Sequence, residues 1–207
     1  MDRSIALKSL SFTLTAGIAV IACASALSHT HAKANGEIIG KVELGSNAVE
    51  YAVVSLTDVS GTFAPPSKPV ILDQKDKEFQ PHVLAILKGT TIRFNNSDPF
   101  LHNVFSSSRV KTFNVSQSAK GDTSDMLFDK PGLIPIKCHI HANMKAYIDV
   151  LSNPYFAVTN EKGLFRIADV PPGTYTMKIW SEHSTTSTQS ITVEAGGRAK
   201  AIIKVSE

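Results

Sequence analysis

Alternation of apolar and polar residues is the feature that most limits how this chain can fold. From Glu37 onward these positions alternate in short runs, and no stretch keeps a helical period for more than two turns. Successive residues of a strand point to opposite faces, so the alternation predicts half-buried strands and an all-β fold, typical of β-sandwiches. The predicted strands are 38–44, 52–57, 82–87, 91–95, 103–107, 125–128, 132–138, 146–151, 156–159, 164–168, 174–180, 189–194 and 199–205.

Glycine and proline mark the places where these strands reverse direction, because they favour the backbone angles that turns need. Two other polar or proline-rich segments, 62–68 and 152–154, have the character of crossings between separate units. The predicted reversals are at Lys88-Gly89, Asp129 to Gly132, Asn160 to Gly163, Pro171 to Gly173 and Gly196-Gly197.

The two crossings divide the chain after residue 34 into three parts: 35–63, 64–152 and 153–207. The last part alone is short for a stable sandwich core, whereas the first and last parts together supply about seven strands. We therefore expect residues 64–152 to form a domain inserted into a loop of a sandwich built from 35–63 and 153–207. The alternative is one larger domain over 35–152 with a C-terminal appendage.

The N-terminus has the form of a secretory signal peptide, residues 1–34. A charged start is followed by an apolar stretch and by Ala32-Lys33-Ala34, a small-x-small cleavage site. Serine and threonine interrupt the apolar stretch, so we expect no membrane span in the mature protein. An uncleaved anchor is one alternative, and lipid attachment at Cys23 after Val20-Ile21-Ala22 is another. We expect a periplasmic protein.

The charge balance gives no support for a nucleic-acid partner. The 207 residues include 21 basic and 18 acidic side chains, of which three basic and one acidic lie in residues 1–34. The remainder carries 18 basic and 17 acidic side chains, without any run of lysine and arginine that would mark a binding patch.

After cleavage at Ala34, Cys138 is the one cysteine left. An exported protein enters an oxidising compartment, where thiols normally pair, so a lone thiol needs an explanation. It could be a small buried hydrophobic residue, a nucleophile or a metal ligand. No Ser-His-Asp order, paired-carboxylate motif or phosphate-cradling loop stands out, and we expect no enzyme activity from side chains alone.

The residues after Cys138 favour the metal. Cys138, His141 and Met144 lie in one predicted loop between strands, where a thiolate, an imidazole and a thioether can meet at one ion. Soft sulfur ligands with imidazole favour copper, and one cysteine, two histidines and a weak axial methionine make an electron-transfer geometry. His102, after the turn 96–100, is the leading candidate for the second imidazole, with His82 as the alternative.

Two other residues of the loop have competing interpretations. His139 is adjacent to Cys138 and is expected to point away from the ion, because neighbouring strand residues face opposite ways. Met144 could instead be core filler, since methionine often fills gaps in a core.

The middle part resembles the cupredoxins of the plastocyanin and amicyanin kind, over nearly all of residues 70–150. The resemblance implies a Greek-key sandwich with one type 1 (blue) copper site: His102, Cys138 and His141 equatorial, Met144 axial. By the same analogy Asn103 fastens the two ligand loops through hydrogen bonds. The matching segments are 79–81, 88–89, 94–98, 102–104, 128–132 and the loop from Cys138 to Met144, which is most similar in length to that of amicyanin.

The last part resembles a carboxypeptidase-regulatory or transthyretin-like β-sandwich, through residues 156–159, 163–167 and 170–175. Phe165, Tyr175 and Trp180 are expected in its core, and His183 at its surface. The whole chain is similar to bacterial periplasmic proteins labelled methylamine utilisation proteins.

The resemblance implies an electron carrier whose partners are redox proteins, such as a dehydrogenase or a cytochrome, with electrons leaving through His141. A copper-binding module for delivery or storage is the first alternative, and a copper oxidase or reductase is the second. A binuclear copper centre is disfavoured, because it needs a second cysteine in the loop.

Overall fold

The chain folds entirely into strands and turns over the part that the computed structural model describes, residues 34–207. The all-β prediction is confirmed. Residues 1–33, with Cys23 and most of the predicted signal peptide, lie outside the described residues. The strands are β1 Gly36–Leu44, β2 Asn47–Ala48, β3 Val53–Thr57, β4 Val70–Lys75, β5 Glu78–Gln80, β6 Val83–Leu87, β7 Thr90–Asn96, β8 His102–Ser107, β9 Thr112–Ser118, β10 Thr123–Phe128, β11 Gly132–Lys137, β12 Lys145–Leu151, β13 Phe156–Val158, β14 Leu164–Val170, β15 Gly173–Ser181, β16 Ser184–Val193 and β17 Arg198–Val205.

The outer sandwich is built from the two ends of this region. One sheet has the order β14-β1-β17, with β2 on β1, and the other has the order β13-β3-β15-β16. β1 and β17 run parallel, from Glu37 beside Arg198 to Leu44 beside Val205. Ile38, Val54, Phe165 and Ile179 are among the buried residues of the core between the two sheets.

The inner sandwich is built from the strands between residues 70 and 151. Its sheets have the orders β10-β7-β4-β5 and β6-β12-β11-β8-β9. A second hydrophobic core, which includes Leu72, Phe94, Ile136 and Ile148, lies between them. Every strand pairing stays within one sandwich or the other. The domain boundaries at residues 63/64 and 152/153 stay a prediction, whose test is the folding of residues 64–152 expressed alone.

The sequence-based prediction missed three paired strands of the inner sandwich, β4, β5 and β9, and the short β2. β4 and β5 are joined by Asp76 and Lys77, which have φ angles of 57° and 58°. Left-handed angles of this kind favour glycine, asparagine and aspartate, so Asp76 without a glycine after it is only a weak turn signal. β9 has only Phe113 and Val115 as apolar residues in seven positions.

The expectation that Trp180 lies in the core of the outer sandwich was wrong. Phe165 does belong to this core, and Tyr175 packs against it. Residues 175, 177 and 179 share the core face of β15, so period two places Trp180 on the opposite face. There its ring lies 5.1 Å from that of Tyr147 in the inner sandwich, centroid to centroid.

No helix in the described region is both long enough and apolar enough to span a bilayer.

Candidate metal centre

Two connections at one end of the inner sandwich carry the predicted ligands. Residues 97–101 join β7 to β8 and deliver His102 as the first residue of β8, while residues 138–144 join β11 to β12. β8 and β11 are antiparallel neighbours, with Phe105 opposite Lys137. This pairing places the start of β8 beside the end of β11, so that His102 and His141, 39 residues apart in the chain, meet.

His102 is fully buried, with no exposed surface. The register of β8 against β9 shifts between His102 and Val104, which is the irregularity of a β-bulge. Bulges redirect side chains relative to a regular strand. Asn96, also buried, fixes the preceding connection: its amide donates to the carbonyls of Phe100 (2.8 Å) and Ser118 (2.7 Å).

Asp98 determines which nitrogen of His102 is available to a metal. Its carboxylate accepts hydrogen bonds from the backbone amides of Asp76 (2.7 Å) and Lys77 (2.9 Å), and lies 2.8 Å from Nε2 of His102. Burial raises the pKa of Asp98, but the hydrogen bonds from Lys77, His102 and Asp76 lower it more, so the pKa lies below its ordinary value. An ionised carboxylate only accepts, so Nε2 donates and a neutral ring keeps its lone pair on Nδ1.

The loop from Cys138 to Met144 is closed by its own backbone. The amide of Cys138 donates to the carbonyl of Met144 (3.2 Å), and the amide of Met144 donates to the carbonyl of His141 (3.0 Å). Asn103 joins this loop to β8, because its Oδ1 accepts a hydrogen bond from the amide of His139 at 2.8 Å. The expected bridging role of Asn103 is therefore present in the structure.

The ligand atoms of His102, Cys138 and His141 all lie within 4.8 Å of one another. Nδ1 of His141 is 3.1 Å from Nδ1 of His102. Bonds of about 2.0 Å to nitrogen and 2.3 Å to sulfur at about 120° would place a nitrogen and a sulfur donor of one ion about 3.7 Å apart. An approach of about 1 Å between the most distant donor atoms would therefore bring them around one ion, and this donor set fits a single soft ion.

Met144 is 1% exposed and Cys138 is 4% exposed, and both belong to the core of the inner sandwich. Cys138 is a free thiol. Burial among apolar residues is compatible with an axial thioether ligand and equally with core filling, so the two interpretations of Met144 both stand.

The other histidines between residues 34 and 207 do not join this group. His139 is exposed, and its ring stacks on Phe105 with centroids 3.6 Å apart, which agrees with the expectation that it points away. His82 instead bonds through Nε2 to the carboxylate of Glu182 at 2.8 Å. The His183 side chain is 81% exposed.

Sequence reasoning identified the turn 96–100 but missed what Asn96 and Asp98 do there. The available signal was the spacing of Asp98 and His102, a carboxylate four residues before a candidate ligand. Hydrogen bonding of the second ring nitrogen to a carboxylate is common among metal-binding histidines.

Comparison with known families gives one match over part of the chain. Residues 143–201 match the family model described as polysaccharide lyase family 4, domain II. That family is not the carboxypeptidase-regulatory one that the sequence analysis named for the last part. No curated protein matches the chain.

Among solved structures, a copper-containing nitrite reductase from Thermus scotoductus is 28% identical over 46% of this chain, with a TM-score of 0.41; the chain spans a quarter of its length (25%). Amicyanin from Paracoccus versutus is 18% identical over 47% of this chain and 97% of its own, with a TM-score of 0.39. A purple cupredoxin from Nitrosopumilus maritimus is 25% identical over 37% of this chain and 85% of its own, with a TM-score of 0.34. These likenesses are distant.

Proposed function

We propose that this protein binds one copper ion in a type 1 site and transfers single electrons between redox proteins of the periplasm, without catalysing a reaction of its own. The observation that carries the proposal is the meeting of His102, Cys138 and His141, whose ligand atoms lie within 4.8 Å of one another. Met144 is proposed as the weak fourth ligand. A thiolate and a thioether among the donors favour copper over harder ions.

The chain's own residues hold these donors in place before any ion binds. Asp98 keeps Nδ1 of His102 free for the metal, and Asn103 ties the amide of His139 to β8. The ion supplies the redox chemistry, since copper takes up and releases one electron. A donor set that is already assembled needs little rearrangement between oxidation states.

Burial of the donors favours electron transfer over copper delivery. His102 and Cys138 are shielded from solvent, whereas His141 is half-buried and lies nearest the surface. Delivery requires ligands that an acceptor protein can reach and replace, and buried ligands oppose such an exchange. An electron needs only a short path through the ring of His141.

The surface beside His141 suits brief contact with another protein. Phe100, Leu101 and Ile140 are 47%, 49% and 41% exposed, and the ring of Phe100 lies 6.3 Å from that of His141, centroid to centroid. Exposed apolar groups of this kind mark interaction sites, and redox encounters use small interfaces.

Spectroscopy of the copper-loaded, oxidised protein tests the proposal. A thiolate bound to copper should give intense visible absorption and a type 1 electron-spin spectrum, and Cys138→Ser should abolish the colour. A colourless copper-loaded wild type would refute the assignment. Transfer of copper to an apo acceptor, faster than electron exchange with a cytochrome, would favour the delivery alternative instead.

A further inference from the structure

The carboxylate of Glu182 connects the outer sandwich to the inner one. Glu182 lies in the turn between β15 and β16, and its side chain is only 13% exposed. Its Oε1 accepts hydrogen bonds from Nζ of Lys145 (2.5 Å) and from the hydroxyl of Tyr147 (2.9 Å), and its Oε2 lies 2.8 Å from Nε2 of His82. All three partners belong to the inner sandwich.

Aromatic rings from both sandwiches pack around this carboxylate. The ring of His82 lies 5.4 Å from that of Tyr51 and 5.8 Å from that of Tyr147, and Tyr147 also contacts Trp180. Tyr51 and Trp180 come from the outer sandwich. The hydrogen bonds that join Glu182 to Tyr147 and His82 are partly buried, and partial burial strengthens them, whereas the one from Lys145 is exposed to solvent.

Lys145 stands at the base of the metal-ligand loop. It follows Met144 directly, and its partner across β11 and β12 is Lys137, which directly precedes Cys138. The pair Lys137–Lys145 therefore closes the loop. Like charges directly opposite each other on neighbouring strands repel, so this closing pair is unfavourable unless one charge is compensated.

We propose that Glu182 is a positioning residue for the metal centre: by binding Lys145 it compensates the repulsion at the closing pair and holds the base of the loop that carries Cys138, His141 and Met144. The outer sandwich thus acts on the geometry of the loop without contributing a ligand. The effect on copper rests on the function proposed above, while the effect on the loop does not.

Amide hydrogen exchange of the metal-free, full-length protein tests the positioning step. Glu182→Gln should speed exchange at the amides of Cys138 and Met144 by roughly tenfold or more, because the loop opens more often. Glu161→Gln, a charge removal at an exposed turn residue, is the matched control and should leave both rates unchanged. Equal rates in the Glu182 variant and the wild type would overturn the proposal.

Three further substitutions separate this role from general destabilisation, and they remain informative if Glu182→Gln does not fold. Lys145→Gln removes the Glu182 contact and the repulsion together, so it should speed exchange at Cys138 less than Glu182→Gln does. Lys137→Gln, which removes the repulsion and spares the Glu182 contact, should not speed it. Glu182→Asp should restore part of the protection. A loop that responds identically to both lysine substitutions would contradict the proposal.

The copper-loaded protein supplies an independent readout. If Glu182 positions the loop, Glu182→Gln should change the reduction potential and the visible spectrum more than Glu161→Gln does. If the wild type is blue, and the reduction potential and exchange rates of Glu182→Gln equal those of Glu161→Gln, the positioning role is refuted and the proposed function is not. A wild type without a blue spectrum defeats the proposed function, while the exchange measurements still decide the positioning role.

Discussion

Glu182→Gln should destabilise the protein at neutral pH and leave its stability unchanged in strong acid. Burial raises the pKa of Glu182, but hydrogen bonds from Lys145, His82 and Tyr147 outweigh it and lower the pKa from 4.5 to about 2. Each pKa unit corresponds to about 1.4 kcal/mol, so the ionised carboxylate contributes about 3 kcal/mol to folding. Glutamine is a neutral analogue of the protonated acid and lacks this contribution.

The sign of the pH dependence follows from a pKa that is lower in the folded chain. The contribution of Glu182 is complete above the unfolded value near 4.5, and it is lost as the pH falls through the folded value near 2. The free energies of unfolding of the wild type and of Glu182→Gln should therefore differ by about 3 kcal/mol at pH 7 and converge between pH 5 and pH 2.

Urea unfolding between pH 7 and pH 2.5 measures this difference. With slopes of about 1–3 kcal/mol per molar urea, the midpoint at pH 7 should fall by about 1–3 M. Circular dichroism reports the strands, and the fluorescence of Trp180, the one tryptophan of the chain, reports the contact beside Glu182. A difference that stays constant with pH, or one no larger than that of the control Glu161→Gln, would refute the reasoning.

Three further predictions concern the metal centre. Met144→Leu should keep copper bound and raise the reduction potential on the order of 60 mV, a tenfold change for a one-electron couple, and loss of all copper in competition with a chelator would contradict an axial role. Asp98→Asn should lower copper affinity by about 10- to 100-fold, because the His102 ring loses the carboxylate that orients it, and titration against a chelator should detect this; unchanged affinity would speak against that role. His139→Ala should leave the visible absorption intact, since its ring stacks on Phe105, and a bleached variant would place His139 at the metal.

Much of the inner sandwich could be predicted from local patterns. The ranges for β7, β8 and β12 were within one residue of the observed strands, because alternation and the turn at Lys88-Gly89 are local signals. Gly89 has a φ of 88°, an angle that glycine adopts without strain. β4 and β5 were missed because Asp76 and Lys77 make their turn without glycine, supported by hydrogen bonds to Asp98 from another part of the chain.

The error at Trp180 had a different origin. The period of the strand would have placed Trp180 on the face opposite Met177 and Ile179, but its large aromatic side chain favoured a place in the core. The ring of Trp180 instead contacts Tyr147, which lies in a strand of the inner sandwich. That contact depends on how the two sandwiches pack, which no local pattern records.

The sequence by itself determined the donor types and the short loop, since Cys138, His141 and Met144 are joined by a few covalent bonds and can meet wherever the strands around them form. Only the tertiary structure decided which distant residues join them. The pairing of β8 with β11 brings His102 to Cys138, and the contact between sandwiches brings Glu182 to Lys145. Such contacts close long loops, and their free energy depends on the packing of whole sheets, which is a property of the folded chain and not of any short segment.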